Sequence, residues 1–363
     1  MDVGNIVSPF QSQAGGPQGA APGQTGSFAG VKVSVNDPMS LVMNSAEEAS
    51  FAMSEREEAR LEERKMKAKG PSTERVEQVE KYLELMDKQG KQKPLESFIS
   101  ALAAKSDLDP GQALDEASKF FSDAGDAYAA LQYAREELGD KFGEALFTEA
   151  MDQLEDLHGK DIQTRLAAGV AALEHPDLGD ADGLKDLYQE TLGDLGSPVE
   201  IFERIMADYG EDRFGESLDF LTRSLGNSMA ATTIYTDRVQ LETIGRDLGQ
   251  VQLLHGLNAQ CKGLTQRITQ SQGRCDLNAT EMVKEILKLR DAHFVGAFDI
   301  EGIADRVGVS EIEDRIGFFQ DFSNTARQIS ENLFPDPAGR LNLIEAIQAA
   351  LDDAIAIEEE MYE

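Results

Sequence analysis

VQLETIGRDLGQVQLLHGLNAQCKGLTQRITQ, residues 239–270, decides the fold class. Leu241, Ile244, Leu248, Val251, Leu254 and Leu257 recur three or four residues apart, which places them on one face of an α-helix. The stretch is long enough for one long helix or two consecutive ones. Downstream, Ser271-Gln272-Gly273-Arg274 breaks the run and marks a boundary before a C-terminal helical unit that extends from Asp276 to the acidic end.

Upstream the same grammar holds back to Ser72. Val76, Val79, Leu83 and Met86 form one apolar stripe, and Leu95, Phe98, Ile99 and Leu102 form the next. Asp109-Pro110 reads as an N-cap followed by proline at the first helical position, leading into Leu114, Ala117, Phe120 and Phe121. Ser197-Pro198 opens the helix of Ile201, Phe202 and Ile205 in the same way. Gly125, Gly139, Gly159, Gly196, Gly210 and Gly226 are expected near helix ends. Hardly any segment after residue 72 reads as a strand. The expected fold is all-α, helix after amphipathic helix over residues 71–272 and a further helical unit over 273–363.

The first seventy residues differ in kind. Residues 1–30 are rich in Gly, Gln, Ala, Pro and Ser with Asp2 as their one charge, a composition expected to stay disordered. Val31-Lys32-Val33-Ser34-Val35 alternates with period two, so it reads as an extended strand with no sheet of its own to join, free to add to a partner's edge. Ser45-Ala46-Glu47-Glu48 has capping-box spacing and opens a helix that Gly70-Pro71 ends. Charges crowd every face of that helix around Phe51, Leu61 and Met66, which fits a linker or partner-bound helix better than a core.

The 363 residues carry 67 Asp and Glu against 34 Lys and Arg, a formal charge of −33. Such a charge disfavours nucleic-acid backbones and anionic lipid, and favours solubility or attraction to a basic protein. The N-terminus lacks the basic and apolar regions of a Sec-type signal, and no stretch approaches a membrane span. Cys261 and Cys275 have neither metal nor redox spacing and read as ordinary reduced thiols.

The residues that could carry chemistry assemble into no recognisable site. His158, His175, His255 and His293 are too scattered to pair on one helical face, so no metal or other cofactor is expected. Gly210 to Ser217 copies the glycine spacing of a P-loop, but Glu216 stands where the phosphate-binding lysine belongs and would repel phosphate. Asp180-Ala181-Asp182-Gly183 resembles part of a calcium loop, yet Leu178 and Gln189 fall at two of its important ligand positions. Asp352-Asp353 and Glu358-Glu359-Glu360 read as solvated faces. The chain is therefore expected to bind proteins and not to be an enzyme.

Asp212-Arg213-Phe214-Gly215-Glu216-Ser217-Leu218-Asp219-Phe220-Leu221, then Ser224-Leu225-Gly226 and Asp247 to Leu254, resemble the type III secretion gatekeepers of the YopN/InvE/MxiC/HrpJ family. Phe294 to Glu301, Phe318 to Phe322, Arg340 to Ile344 and Ala346 to Ile355 are similar to the TyeA-like part, fused here in one chain. The resemblance implies an elongated array of small helical bundles, HrpJ/YopN-like over 71–272 and TyeA-like over 273–363, with an uncleaved export signal over 1–30, a chaperone-binding segment over 31–70 and contacts with the export gate and translocator–chaperone complexes. It also implies a protein that works in the bacterial cytoplasm at the base of the secretion apparatus, is itself secreted or found at the cell surface, and holds effectors back until translocators have left.

Val31, Val33, Val35, Met39, Leu41 and Phe51 are the candidate chaperone contacts. Phe294, Phe298, Ile300, Phe318, Phe319 and Phe322 are the candidate gate contacts, although most of these must fill the unit's own core. Two other readings fit the residues: a helical scaffold unrelated to secretion, and a secreted effector or translocator-associated protein.

Overall fold

In the computed structural model, residues 27–28, 31–32, 73–193, 195–232, 235–336 and 338–362 are described. The chain divides into two units, Met1–Asn36 and Asp37–Glu363. In the first, β1 (Ser27–Phe28) pairs antiparallel with β2 (Val31–Lys32), Phe28 opposite Val31. Val31 thus has a partner inside its own segment, contrary to the lone strand expected. Two intervening residues are the commonest hairpin spacing. Val33, Val35, Met39, Leu41, Phe51 and the charged helix predicted from Ser45 lie outside the described residues.

The second unit is all helix among its described residues. Nine α-helices lead to the end of the decisive stretch: α1 (Thr73–Lys88), α2 (Gln92–Ala103), α3 (Pro110–Phe120), α4 (Ala124–Phe142), α5 (Glu144–Ala172), α6 (Ala181–Gly193), α7 (Pro198–Tyr209), α8 (Phe214–Ala231) and α9 (Tyr235–Gln272). After them come α10 (Ala279–Asp291), α11 (Ala297–Val307), α12 (Ile312–Gln328), a 3-10 turn (Glu331–Leu333) and α13 (Gly339–Tyr362).

The predicted stops and starts have visible causes. Asp109 accepts a hydrogen bond from Gln112 N at 2.8 Å to cap α3, and Ser197 accepts one from Glu200 N to cap α7. Gly210, at φ 68°, ends α7, a left-handed conformation open to glycine. Gly125 and Gly139 lie near the two ends of α4, as expected, though within the helix, whereas Gly226 lies inside α8. Gly159 follows His158, whose φ of −135° breaks the helical path inside α5. The Asp180 side chain accepts from Gly183 N at 2.8 Å, so the calcium-like motif is a helix start.

Two helices organise the packing. Helix α5 touches α1, α3, α4, α6 and α8, with Phe147, Leu154, Ile162 and Leu166 in the core. Helix α9 is the single long helix of the two alternatives, 38 residues, and all six of its stripe residues from Leu241 to Leu257 are buried. It packs against α6, α7 and α8, and also against α10, α12 and the 3-10 turn. In the C-terminal part, α13 lies against α10, α11 and α12. No helix among the described residues is long and apolar enough to cross a membrane.

Candidate functional site

Two places concentrate functional groups, and their physical chemistry differs. The first is a charged hub that the sequence reading missed. Lys185 of α6 is fully buried, and its ammonium meets Asp182 at 2.8 Å, Asp123 at 3.2 Å and Asp126 at 3.5 Å. It also donates to Tyr82 Oη at 2.8 Å, and that hydroxyl donates to Asp126 at 2.7 Å. Lys91, just ahead of α2, closes the ring on Asp126 at 2.7 Å and Asp182 at 3.2 Å. Helices α1, α4 and α6 thereby meet at one buried cation, and Lys91 joins the start of α2 to the same carboxylates. The Tyr82 ring reaches this point because Gly169 of α5 presents no side chain: a Cβ there would stand 2.3 Å from Tyr82 Cε2.

The hub sits beside two adjoining cavities of about 350 and 460 Å³ that share Phe121, Ser122, Asp123 and Arg165. Its ionisation argues for a joint and against a reactive site. Burial, then the charges of Asp126 and Asp123, hold the Tyr82 hydroxyl well above its ordinary range. Burial pushes the Asp182 carboxyl up, but hydrogen bonds and charges from Lys185 and Lys91 outweigh it and bring the pKa down to about 2. Both groups are moved away from the neutral range where proton transfer is efficient. Among the described residues no group of three or more His, Cys, Asp or Glu is placed to hold a metal ion. His255 lies flat on Phe214, ring centroids 4.2 Å apart, and burial keeps its pKa below the ordinary value.

The second place is the entry to α11. Gly296 is the N-cap residue; Asp299 reaches back to accept from Gly296 N at 2.9 Å. Val295 and Ile300, on either side of that cap, turn inward: Ile300 is buried and Val295 packs against the core. This is the spacing of a hydrophobic staple, and it turns the neighbours outward. Phe294 and Phe298 are each 83% exposed. The six gate candidates therefore separate. Ile300, Phe318, Phe319 and Phe322 are core residues, with Phe318 and Phe322 stacked at 5.6 Å, and so offer no surface to a partner. Only Phe294 and Phe298 face water.

Among the described residues of the second unit, then, the buried charged hub is a structural joint and two aromatic rings are presented outward, features suited to binding another protein. The HrpJ-like domain model matches residues 42–209 and the TyeA model matches residues 280–360. The fold is that of Chlamydia pneumoniae CopN, at a TM-score of 0.63 and 18% identity over 73% of this chain and 94% of that one. A chain of a CopN–Scc3 complex matches at a TM-score of 0.59 and 18% identity, covering 72% and 94% of the two chains. Methylated Shigella flexneri MxiC matches at 0.57 and 13% identity, covering 74% and 95%. The chain belongs to the type III secretion gatekeeper family, with an HrpJ-like domain followed by a TyeA domain, and its role is regulation of type III secretion.

Proposed function

We propose that this chain restrains effector export and orders translocators before effectors by holding two partners at once. A chaperone is bound through residues 31–70, and the cytosolic domain of the export gate is bound through residues 273–363. The observation that carries the reading is the order of the two family matches on one chain, HrpJ-like and then TyeA, on an all-helical body. The named CopN–Scc3 complex supports it, since a chain of this fold is held there by a second protein. Residues 1–30 would act as the export signal, which places the protein at the cytoplasmic base of the apparatus before it is itself exported.

Restraint of this kind needs binding energy and no chemical step, so no catalytic residue is assigned. Long-range attraction between the acidic chain and a basic gate surface would speed encounter and weaken with salt.

Paired variants of the full-length chain test the division of labour. Val31→Ser, Val33→Ser and Val35→Ser together should abolish chaperone binding and leave gate binding intact. Asp352→Lys with Asp353→Lys, both exposed on α13, should do the reverse and let effectors out early in a secretion assay. Gate binding that is unaffected by the charge reversal and by added salt sinks the gate assignment.

A further inference from the structure

We infer that Phe294 and Phe298 form a preset two-ring knob that seats in an apolar pocket with a basic rim on the partner of the C-terminal half. The inference rests on the gatekeeper reading above and specifies the chemistry of that contact. Three observations carry it.

First, these are the most exposed of the large apolar side chains among the described residues, at 83% each, above Tyr362 at 74% and Leu157 at 70%. Second, the backbone that carries them is held, and the Phe294 ring with it. The Asp299–Gly296 hydrogen bond and the inward Val295 and Ile300 fix the backbone between them. The Phe294 ring lies over Gly296, where an added Cβ would come within 3.1 Å of it. A ring already placed loses little freedom on binding, which is what makes a fixed aromatic an effective anchor.

Third, the surroundings choose the partner. From Arg290 to Arg306 the chain has two arginines and four carboxylates, Asp291, Asp299, Glu301 and Asp305. Both arginines are engaged, Arg290 with Asp291 at 2.7 Å and Arg306 with Glu285 at 2.8 Å; Asp305 pairs with Arg315 and Asp299 caps α11, so the surface offers no spare cation and keeps an acidic excess. A second copy of this chain, at a formal charge of −33, would bring like charge against like. The occupant is therefore a different, basic protein surface, which on the gatekeeper reading is the cytosolic domain of the export gate.

The experiment uses the full-length chain and the purified gate domain. Phe294→Ala and Phe298→Ala should each weaken binding about tenfold, and together about a hundredfold, as loss of buried aromatic anchors does. The loss should be of similar size at low and high salt, with an unchanged melting temperature, because neither ring is in the core. If the double variant binds like the wild type while Asp352→Lys with Asp353→Lys weakens binding, the knob is wrong and the gate assignment stands. If the wild type does not bind the gate domain, the gate assignment fails and a photo-crosslinking residue at position 298 decides the knob in secreting cells. An adduct with an identified basic component of the apparatus supports it. An adduct with a second copy of this chain, or none, overturns it.

Discussion

Lys185 shows what a single residue can hold. A fully buried ammonium is tolerable only because Asp123, Asp126, Asp182 and the Tyr82 hydroxyl surround it. Removing the cation leaves the buried Asp126 and the part-buried Asp123 with only Lys91 and Arg165 to offset them, so Lys185→Met should destabilise the protein by about 3 kcal/mol in urea unfolding. The half-exposed pair of Arg204 with Glu190 is the contrast, and Arg204→Met should change stability by about 1 kcal/mol or less. Asp182 adds a pH signature. Its folded pKa is depressed from 3.8 to about 2, so its contribution is full above 3.8 and is lost as pH falls toward 2. Asp182→Asn should therefore lower stability at neutral pH, and its difference from wild type should shrink through that window. A constant difference would mean that Asp182 gains nothing from its charge. The hub was in part legible, because Ala181, Leu184, Lys185 and Tyr188 share the spacing of one buried face, with a lysine in a core slot. Its carboxylate partners were not, since helices distant in sequence deliver Asp123 and Asp126. The outward turn of Phe294 and Phe298 depends on cap geometry that apolar periodicity alone does not express.

At the scale of elements, the approach of α1 to α5 turns on Gly169. Alanine in a helix interior ordinarily stabilises relative to glycine by up to about 1 kcal/mol. At Gly169 the added carbon would stand 2.3 Å and 2.5 Å from two atoms of the Tyr82 ring, and 3.1 Å from Leu85 Cδ2. Gly169→Ala should then destabilise by about 1–3 kcal/mol, the opposite sign, because a packed ring has nowhere to go. A raised melting temperature would show that α1 shifts freely. The helices themselves were legible in their stripes and caps: Leu95, Phe98 and Leu102 are buried, as are Ile201, Phe202 and Ile205. Glycine was a signal of mixed meaning: Gly210 ends α7 and Gly159 follows the kink in α5. Gly125, Gly139 and Gly226 sit within helices, where sequence alone does not separate a cap from a close approach; at Gly139 an added Cβ would come within 2.9 Å of Glu144.

The whole molecule depends on α9 serving both of its ends. Arg267 pairs with Asp321 at 2.9 Å, while Gln260 and Gln250 donate to the carbonyls of Gln328 and Asn332 at 3.0 Å and 3.2 Å. These bonds bring α12 and the 3-10 turn against the later half of α9, where Leu257, Cys261, Leu264 and Ile268 are each no more than 2% exposed. Between Glu203 and Lys284, at 2.8 Å, the C-terminal part also reaches α7 directly. The later half of α9, from Leu257 to Ile268, thus packs in part against residues beyond 272, although the polar run at 271–274 marks a break in the chain. A chain ended at residue 272 should keep most of its helical circular dichroism, bind an apolar dye and associate with itself, since the later half of α9 loses its cover. Adding a separately produced 273–363 fragment should abolish the dye signal and raise the melting temperature, with the shift growing as the fragment concentration rises. If the shortened chain is monomeric, dye-free and as stable as the intact protein, the later half of α9 needs no cover and the two parts fold independently.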